Sequence, residues 1–203
     1  MSVAKKSLLL IFLLLLVDQV SKFYIKLNFS LGESVHVFDW FQIYFIENRG
    51  MAFGLEIVGK LFLTIFRIFA VSGLIWFVIT LIKKGARQGF ILSVSLLLAG
   101  AAGNILDSVF YGVIFSDSWG RVAEFMPVEG GYAPLFYGNV VDMFYFPLIK
   151  NAAGETLFFS PVFNVADSAI TVSAVIILLF FRKDLNEHLE SKKKVKDAEN
   201  QGS

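Results

Sequence analysis

Residues 7–25 read SLLLIFLLLLVDQVSKFYI, and the fold turns on how this stretch is understood. Lys5 and Lys6 precede an unbroken apolar run from Leu8 to Val17, a pattern that fits either a cleaved secretory signal or a membrane helix. A cleaved signal ends in small residues. Here the run passes into Asp18-Gln19-Val20-Ser21-Lys22, so the stretch reads as a retained span. The rest of the chain agrees. Hydrophobic residues make up 56% of the 203, charged residues only 17%, and mean hydropathy is +0.68. These values lie well outside the soluble range and argue against a disordered chain. A net charge of +1 gives no electrostatic footprint for nucleic acid. The absence of cysteine excludes disulfides, thiolate catalysis and Cys-ligated metals, and two histidines make a His-based metal site a poor reading.

A span needs about 20 predominantly apolar residues. Four windows qualify, at about 7–25, 58–82, 88–111 and 162–181. The expected fold is therefore an α-helical integral membrane protein with four transmembrane helices, one membrane domain over residues 1–203. Lysine and arginine set the orientation. Eleven of the 18 lie before the first span, between the second and third, or after the fourth, at Arg182 and in the tail 183–203. Both termini are thus expected in the cytoplasm, with loops 28–57 and 113–161 outside. Within those loops, residues 35–47 and Val140–Phe146 are rich in β-branched and aromatic residues, with Asp39-Trp40 as a turn. They predict a small extracytoplasmic β-rich subdomain. Residues 113–139, with their glycines and acids, read as an exposed loop able to act as a lid.

Ionisable residues inside a span are costly, which makes them functional candidates. At 1.5 Å per residue, Asp18 and Lys22 lie roughly 18 and 24 Å from the cytoplasmic end of the first helix, Asn104 and Asp107 roughly 24 and 28 Å along the third, and Asp167 and Asn164 roughly 22 and 27 Å along the fourth. Three helices thus bring carboxylates and amides to one level. Asn104, Asp107, Ser108 and Tyr111 follow a helical stripe, and Asp18 and Lys22 are spaced for an ion pair. Asp142 sits in the apolar run VVDMFYF, where a charge needs partners or chemistry. Two acids in one low-dielectric site have a specific use. They do not both ionise easily, so one keeps a proton while the other acts as base, and the pair can activate water and protonate an amide leaving group.

Five blocks in order carry a resemblance. They are Asp18–Lys22, Glu47–Gly54, Gly100–Asp107, Val140–Phe144 and Phe163–Ser168. Together the chain resembles the lipoprotein signal peptidases (signal peptidase II), intramembrane aspartyl endopeptidases of the bacterial cytoplasmic membrane. The resemblance implies that Asp142 and Asp167 are the catalytic pair. It implies that Asn48, Asn104 and Asn164 hold the substrate backbone or orient the acids, and that Asp18, Lys22, Gly50 and Asp107 support the site. It also implies a site near the outer leaflet, no metal or organic cofactor, and contact with membrane phospholipid. The implied substrates are diacylglyceryl-modified prolipoproteins cut just before the lipidated cysteine, and globomycin-type inhibitors are expected to bind the same site.

Two departures stand out. The family usually has arginine directly after the third-helix aspartate, where this chain has Ser108; Arg49 or Arg121 are the expected substitutes. The interval from Asp107 to Asp142 is also long, so 113–139 reads as an insertion. A second reading is a small proton-coupled transporter or channel subunit, for which intramembrane Asp, Asn and Lys are equally suited. The apolar cytoplasmic halves of the first and fourth helices argue against it, since a transporter needs polar groups through the membrane. Arg67, in the second span, fits neither reading at the level of sequence.

Overall fold

The computed structural model describes residues 1–50, 58–148 and 161–188. Residues Met51–Gly54 of the second block and the charged run of the tail lie outside them. Three long helices are apolar enough to cross a membrane: α1 (Val3–Asn28), α2 (Val58–Lys83) and α3 (Gln88–Leu106), the last continued through a π-helical turn (Asp107–Tyr111) and one further turn, α4 (Gly112–Ile114). Ser2 caps α1 by accepting a hydrogen bond from the Lys5 amide at 3.4 Å.

The fourth span is shorter than the 162–181 expected. Its helix, α5, covers Val165–Phe180, and a second short helix, Arg182–His188, leaves it at 86°. The cause is local. Phe163 is extended and pairs with Phe144, and Asn164 caps the helix, so α5 starts only at Val165. Its 16 residues span about 24 Å, against about 30 Å of hydrocarbon.

α3 is the central helix, packed on α1, α2 and α5. Its contact with α1 depends on Gly103, where a Cβ would fall 2.6 Å from an Asp18 carboxylate oxygen. The glycine lets a charged side chain of α1 lie against the α3 backbone. One end of the bundle gathers Lys6, Gln88, Arg87 and Asp184, joined by bonds of 3.3 Å (Lys6–Gln88) and 3.1 Å (Arg87–Asp184). The opposite end carries the sheet.

That sheet has three antiparallel strands in the order β1 (Ser34–Phe38), β2 (Phe41–Asn48), β3 (Val140–Tyr145). β1 and β2 form the hairpin expected around Asp39-Trp40. The β2–β3 register places Ile46 opposite Asp142 and Asn48 opposite Val140. Alternation then divides the strand. Val141 and Met143 join a core with Ile25, Phe45, Tyr111 and Phe115, and Asp142 faces the other way.

The insertion is not the free loop the sequence suggested. It runs back along the end of α3, where the Gly138, Phe136 and Ala133 amides bond the carbonyls of Ser108, Val109 and Gly112 at 2.9, 3.0 and 2.9 Å. Of these, the Gly112 carbonyl belongs to the last turn, where helical carbonyls lack partners of their own. Its far side is held by a buried ion pair. Lys26 meets Glu47 at 2.7 Å and Ser118 at 2.8 Å, with its ammonium 5.0 Å from the centre of the Tyr132 ring. Glu47 also accepts from Asn139 at 2.7 Å, whose backbone amide donates to the Tyr132 hydroxyl at 2.7 Å. The insertion therefore clamps the entry into β3. Replacing Tyr132 by Phe removes the acceptor of a buried backbone N–H. We expect a loss of about 1–3 kcal/mol in stability, read as a lower unfolding temperature in detergent.

Candidate active site

Asp18, Lys22, Asn48, Gly50, Asn104, Asp107, Asp142, Asn164 and Asp167 lie at one place, where the sheet end of α3 meets α1, the end of β2, β3 and the start of α5. The organising side chain is Asn164, fully buried at the N-cap of α5. Its Oδ1 accepts from the Asp167 backbone amide at 2.9 Å, and its own backbone amide donates to the Asp167 carboxylate at 3.4 Å. This reciprocal cap fixes Asp167 in the first turn, where the helix dipole favours a negative charge. The Asn164 Nδ2 group turns the other way, donating to Asp142 at 2.7 Å and to the Val141 carbonyl at 3.2 Å. One amide thus holds both acids. Asn48, at the end of β2, also hydrogen-bonds the Asp142 carboxyl, and its Oδ1 accepts from the Gly50 amide at 2.8 Å. Gly50 has φ +70°, a conformation glycine adopts at little cost.

Asn104 supplies the second link. It donates to Asp167 at 2.7 Å, and its oxygen accepts from Lys22 at 2.9 Å and from Asn164 at 3.1 Å. Lys22 is the centre of a buried triad, 2.9 Å from Asp18 and 2.8 Å from Asp107. The carboxylates have further work. Asp18 accepts from the Ala166 amide at 2.9 Å, tying α1 to the first turn of α5. Asp107 accepts from the Val141 amide at 3.2 Å, anchoring β3 one residue before Asp142. The i, i+4 pair expected between Asp18 and Lys22 is therefore part of a larger unit that sets the positions of both acids.

Asp142 is 1% exposed and Asp167 half-buried. Burial first, and the charge of Asp167 second, push the Asp142 carboxyl up to about 7. Near neutrality one of the two acids can thus keep a proton while its neighbour is ionised. That is the state required to activate water and protonate a carbonyl or amide. Among the described residues no three His, Cys, Asp or Glu side chains are grouped as metal ligands would be.

A family model described as Signal peptidase (SPase) II matches residues 10–182. The chain belongs to the signal peptidase II family. A lipoprotein signal peptidase of Porphyromonas gingivalis is 45% identical over 204 aligned residues, covering 96% of this chain and 90% of that one. Another, of Amoebophilus asiaticus, is 33% identical, covering 88% and 78% respectively. A solved bacterial membrane enzyme superposes with a TM-score of 0.62 at 26% identity, covering 89% of this chain and 94% of that one. The chain is thus a membrane peptidase that acts on signal peptides, and the transporter reading falls away.

Sequence reasoning missed the parts played by Gln19 and Arg67 and misplaced a third residue, Tyr111. Gln19 donates at 3.0 Å to both Asp18 and Asp107, and accepts from the Tyr111 hydroxyl at 3.1 Å. Tyr111 and Ser108 were expected on one face. Instead Tyr111 turns to α1 and Ser108 to α2, because the π turn starting at Asp107 breaks the helical spacing. The other missed part is that of Arg67 of α2, whose guanidinium donates to the Ser108 hydroxyl at 3.3 Å. The arginines expected to stand in at Ser108 lie elsewhere. Arg121 pairs with Asp117 at 2.5 Å on the exposed side of the insertion, and Arg49 is exposed beyond β2. A signal for Arg67 was present. Lys60, Thr64 and Arg67 have i, i+4, i+7 spacing, and all three face the insertion or the end of α3.

Proposed function

We propose that this signal peptidase is an aspartic endopeptidase working inside the membrane, with Asp142 and Asp167 as the catalytic pair. The observation that carries the reading is the position of Asn164, which holds both acids while burial keeps the Asp142 proton available near neutrality. Asp167, hydrogen-bonded by Asn104 and placed at a helix N-terminus, is suited to be the ionised partner. It takes a proton from a water held between the acids as the water oxygen attacks the scissile carbonyl. Asp142 gives its proton to the carbonyl oxygen. The tetrahedral intermediate, a gem-diol, then collapses as the proton on Asp167 passes to the departing amine, the C–N bond breaks, and Asp142 takes a proton back from one hydroxyl, which leaves the new carboxyl group and restores both acids. Asn48 and Asn104 are placed to orient the peptide and the acids.

The substrates are prolipoproteins carrying a diacylglyceryl cysteine, cut immediately before that residue. The names of the relatives support this, and so does the surface. A groove of about 760 Å³ between α1 and the sheet is lined by Val20, Tyr24, Phe29, Ile43, Met143 and Phe144. It gives phospholipid or substrate acyl chains an apolar place beside the strand that bears Asp142. The basic end of the bundle, opposite the sheet, faces the cytoplasm with both termini, and the acids work near the outer leaflet, where globomycin-type inhibitors would compete.

The test is cleavage of matched lipidated and unlipidated precursor by the purified protein. Each buried methylene contributes about 0.8 kcal/mol, so four buried methylenes are worth about 3 kcal/mol. We expect kcat/KM to fall about 100-fold or more without the lipid. Equal values for the two precursors would overturn the substrate assignment.

A further inference from the structure

Four basic side chains of the long helices reach toward the sheet end, and they are partnered differently; Lys60 donates to the Asn139 side chain. Lys22 and Lys26 are each within 2.7–2.9 Å of a carboxylate. Arg67 is half-buried, yet among the described residues its only hydrogen bond is to the Ser108 hydroxyl, and it has no carboxylate within ion-pair distance. A guanidinium has five N–H donors in a planar fork. Inside a span such a group is expensive unless its donors are used.

The guanidinium has a defined location. One terminal nitrogen rests on Ser108, directly after Asp107 in the chain. Both terminal nitrogens lie against Gly50, where a Cβ would be 3.3 and 3.5 Å from them and 2.9 Å from Leu63. Gly50 is bonded to Asn48, which reaches Asp142. The fork therefore lies between the end of β2, which carries the Asn48 bonded to Asp142, and the end of α3, which carries the Asp107 bonded to the Val141 amide. It also lies in the field of Asp167, Asp107 and Asp142 together. Those three carboxylates select the ligand. A phosphate brought to Arg67 would be repelled by them, whereas a neutral peptide carbonyl oxygen accepts from the fork without that opposition.

We propose that Arg67 is a substrate-binding residue, and that its guanidinium receives backbone carbonyl oxygens of the peptide flanking the scissile bond. The proposal rests on the peptidase reading of the Asp142–Asp167 pair. The absence of a side chain at Gly50 lets the fork lie against the end of β2, and Ser108 takes one of its five N–H donors among the described residues. A binding contact made equally before and during the reaction changes KM more than kcat.

The experiment uses the full-length protein in detergent with lipidated precursor. Wild type should cleave and Asp142→Asn should not; any other result there is a failure of the peptidase reading, not of the role of Arg67. Given that baseline, Arg67→Met is expected to raise KM about 10-fold or more with kcat within about threefold, and Arg67→Lys to fall between. Moving the guanidinium to the neighbouring helix in Arg67→Met/Ser108→Arg is expected to recover most of the lost affinity, because the fork returns to the same spot. Binding of a labelled precursor to Asp142→Asn, with and without Arg67→Met, reads the same contact without turnover, and weaker binding in the double variant is expected. An unchanged KM and unchanged binding in Arg67→Met would overturn the proposal. So would loss of folding in Arg67→Met that Ser108→Arg repairs without any recovery of KM, since Arg67 would then be structural.

Discussion

Replacing Asp142 or Asp167 by asparagine is expected to lower turnover by about 10³-fold or more, with the helical content and unfolding temperature close to those of the parent. The size follows from the chemistry. Proton transfer by positioned groups contributes about 10²–10⁴-fold, and members of a cooperating unit lose nearly the whole effect when either is removed. Structure is spared because asparagine preserves the shape and keeps an oxygen to accept from Asn164 or Asn104. The pH dependence carries its own sign. With Asp142 pushed up to about 7, the pair holds its proton below that pH and loses it above. The alkaline limb of kcat/KM should therefore fall near neutrality. That limb belongs to the pair as a whole. Wild-type turnover in Asp167→Asn, or a rate still flat well above pH 7, would contradict the assignment.

The largest effect on stability is expected at Lys22. In Lys22→Met, Asp18 and Asp107 lose their shared cation while remaining buried, with side-chain exposures of 1% and 0%. Removing one partner from a buried ionic group costs about 3–5 kcal/mol, because the charges left behind are uncompensated. The loss should spread into the site. Asp18 holds the first turn of α5 through Ala166, and Asp107 holds β3 through Val141, so protonation or rotation of either acid loosens Asp167 or Asp142, the proposed catalytic pair. A marked drop in unfolding temperature together with reduced activity is the expected result. Adding Asp18→Asn and Asp107→Asn to Lys22→Met should recover much of the stability, since no unpaired charge then remains. A single Lys22→Met that unfolds at the parental temperature would show that the triad does not contribute as its geometry requires.

The residues that form the site were legible in the sequence because the membrane makes polar groups conspicuous. Asp18, Lys22, Asn104, Asp107, Asn164 and Asp167 stand out against apolar helices, and helical rise alone brings them to one level. Asp142 stood out for the same reason within an apolar strand. The hairpin at 34–48 followed from its β-branched and aromatic content around a turn. Gln19 did not stand out, because an amide next to charged residues carries little signal until its partners are known, and Tyr111, legible on the polar stripe of the third helix, bonds Gln19 of α1 instead of following Ser108. The role of Arg67 did not stand out either. Its partners Ser108 and Gly50 come from segments 41 and 17 positions away.

What the sequence settled by itself was the set of membrane helices, their polar level and the acids, since each depends on local composition and a fixed rise per residue. The tertiary structure decided the rest. A π turn at Asp107 sends Ser108 and Tyr111 to different helices, and extended residues before Asn164 delay α5 so that its cap can hold Asp142 and Asp167 at once. The insertion, legible only as a glycine-rich loop, is fixed by carbonyls at the end of α3 and by Lys26 and Glu47. These outcomes depend on which donor meets which acceptor across elements distant in sequence. Neither hydropathy nor periodicity encodes that pairing.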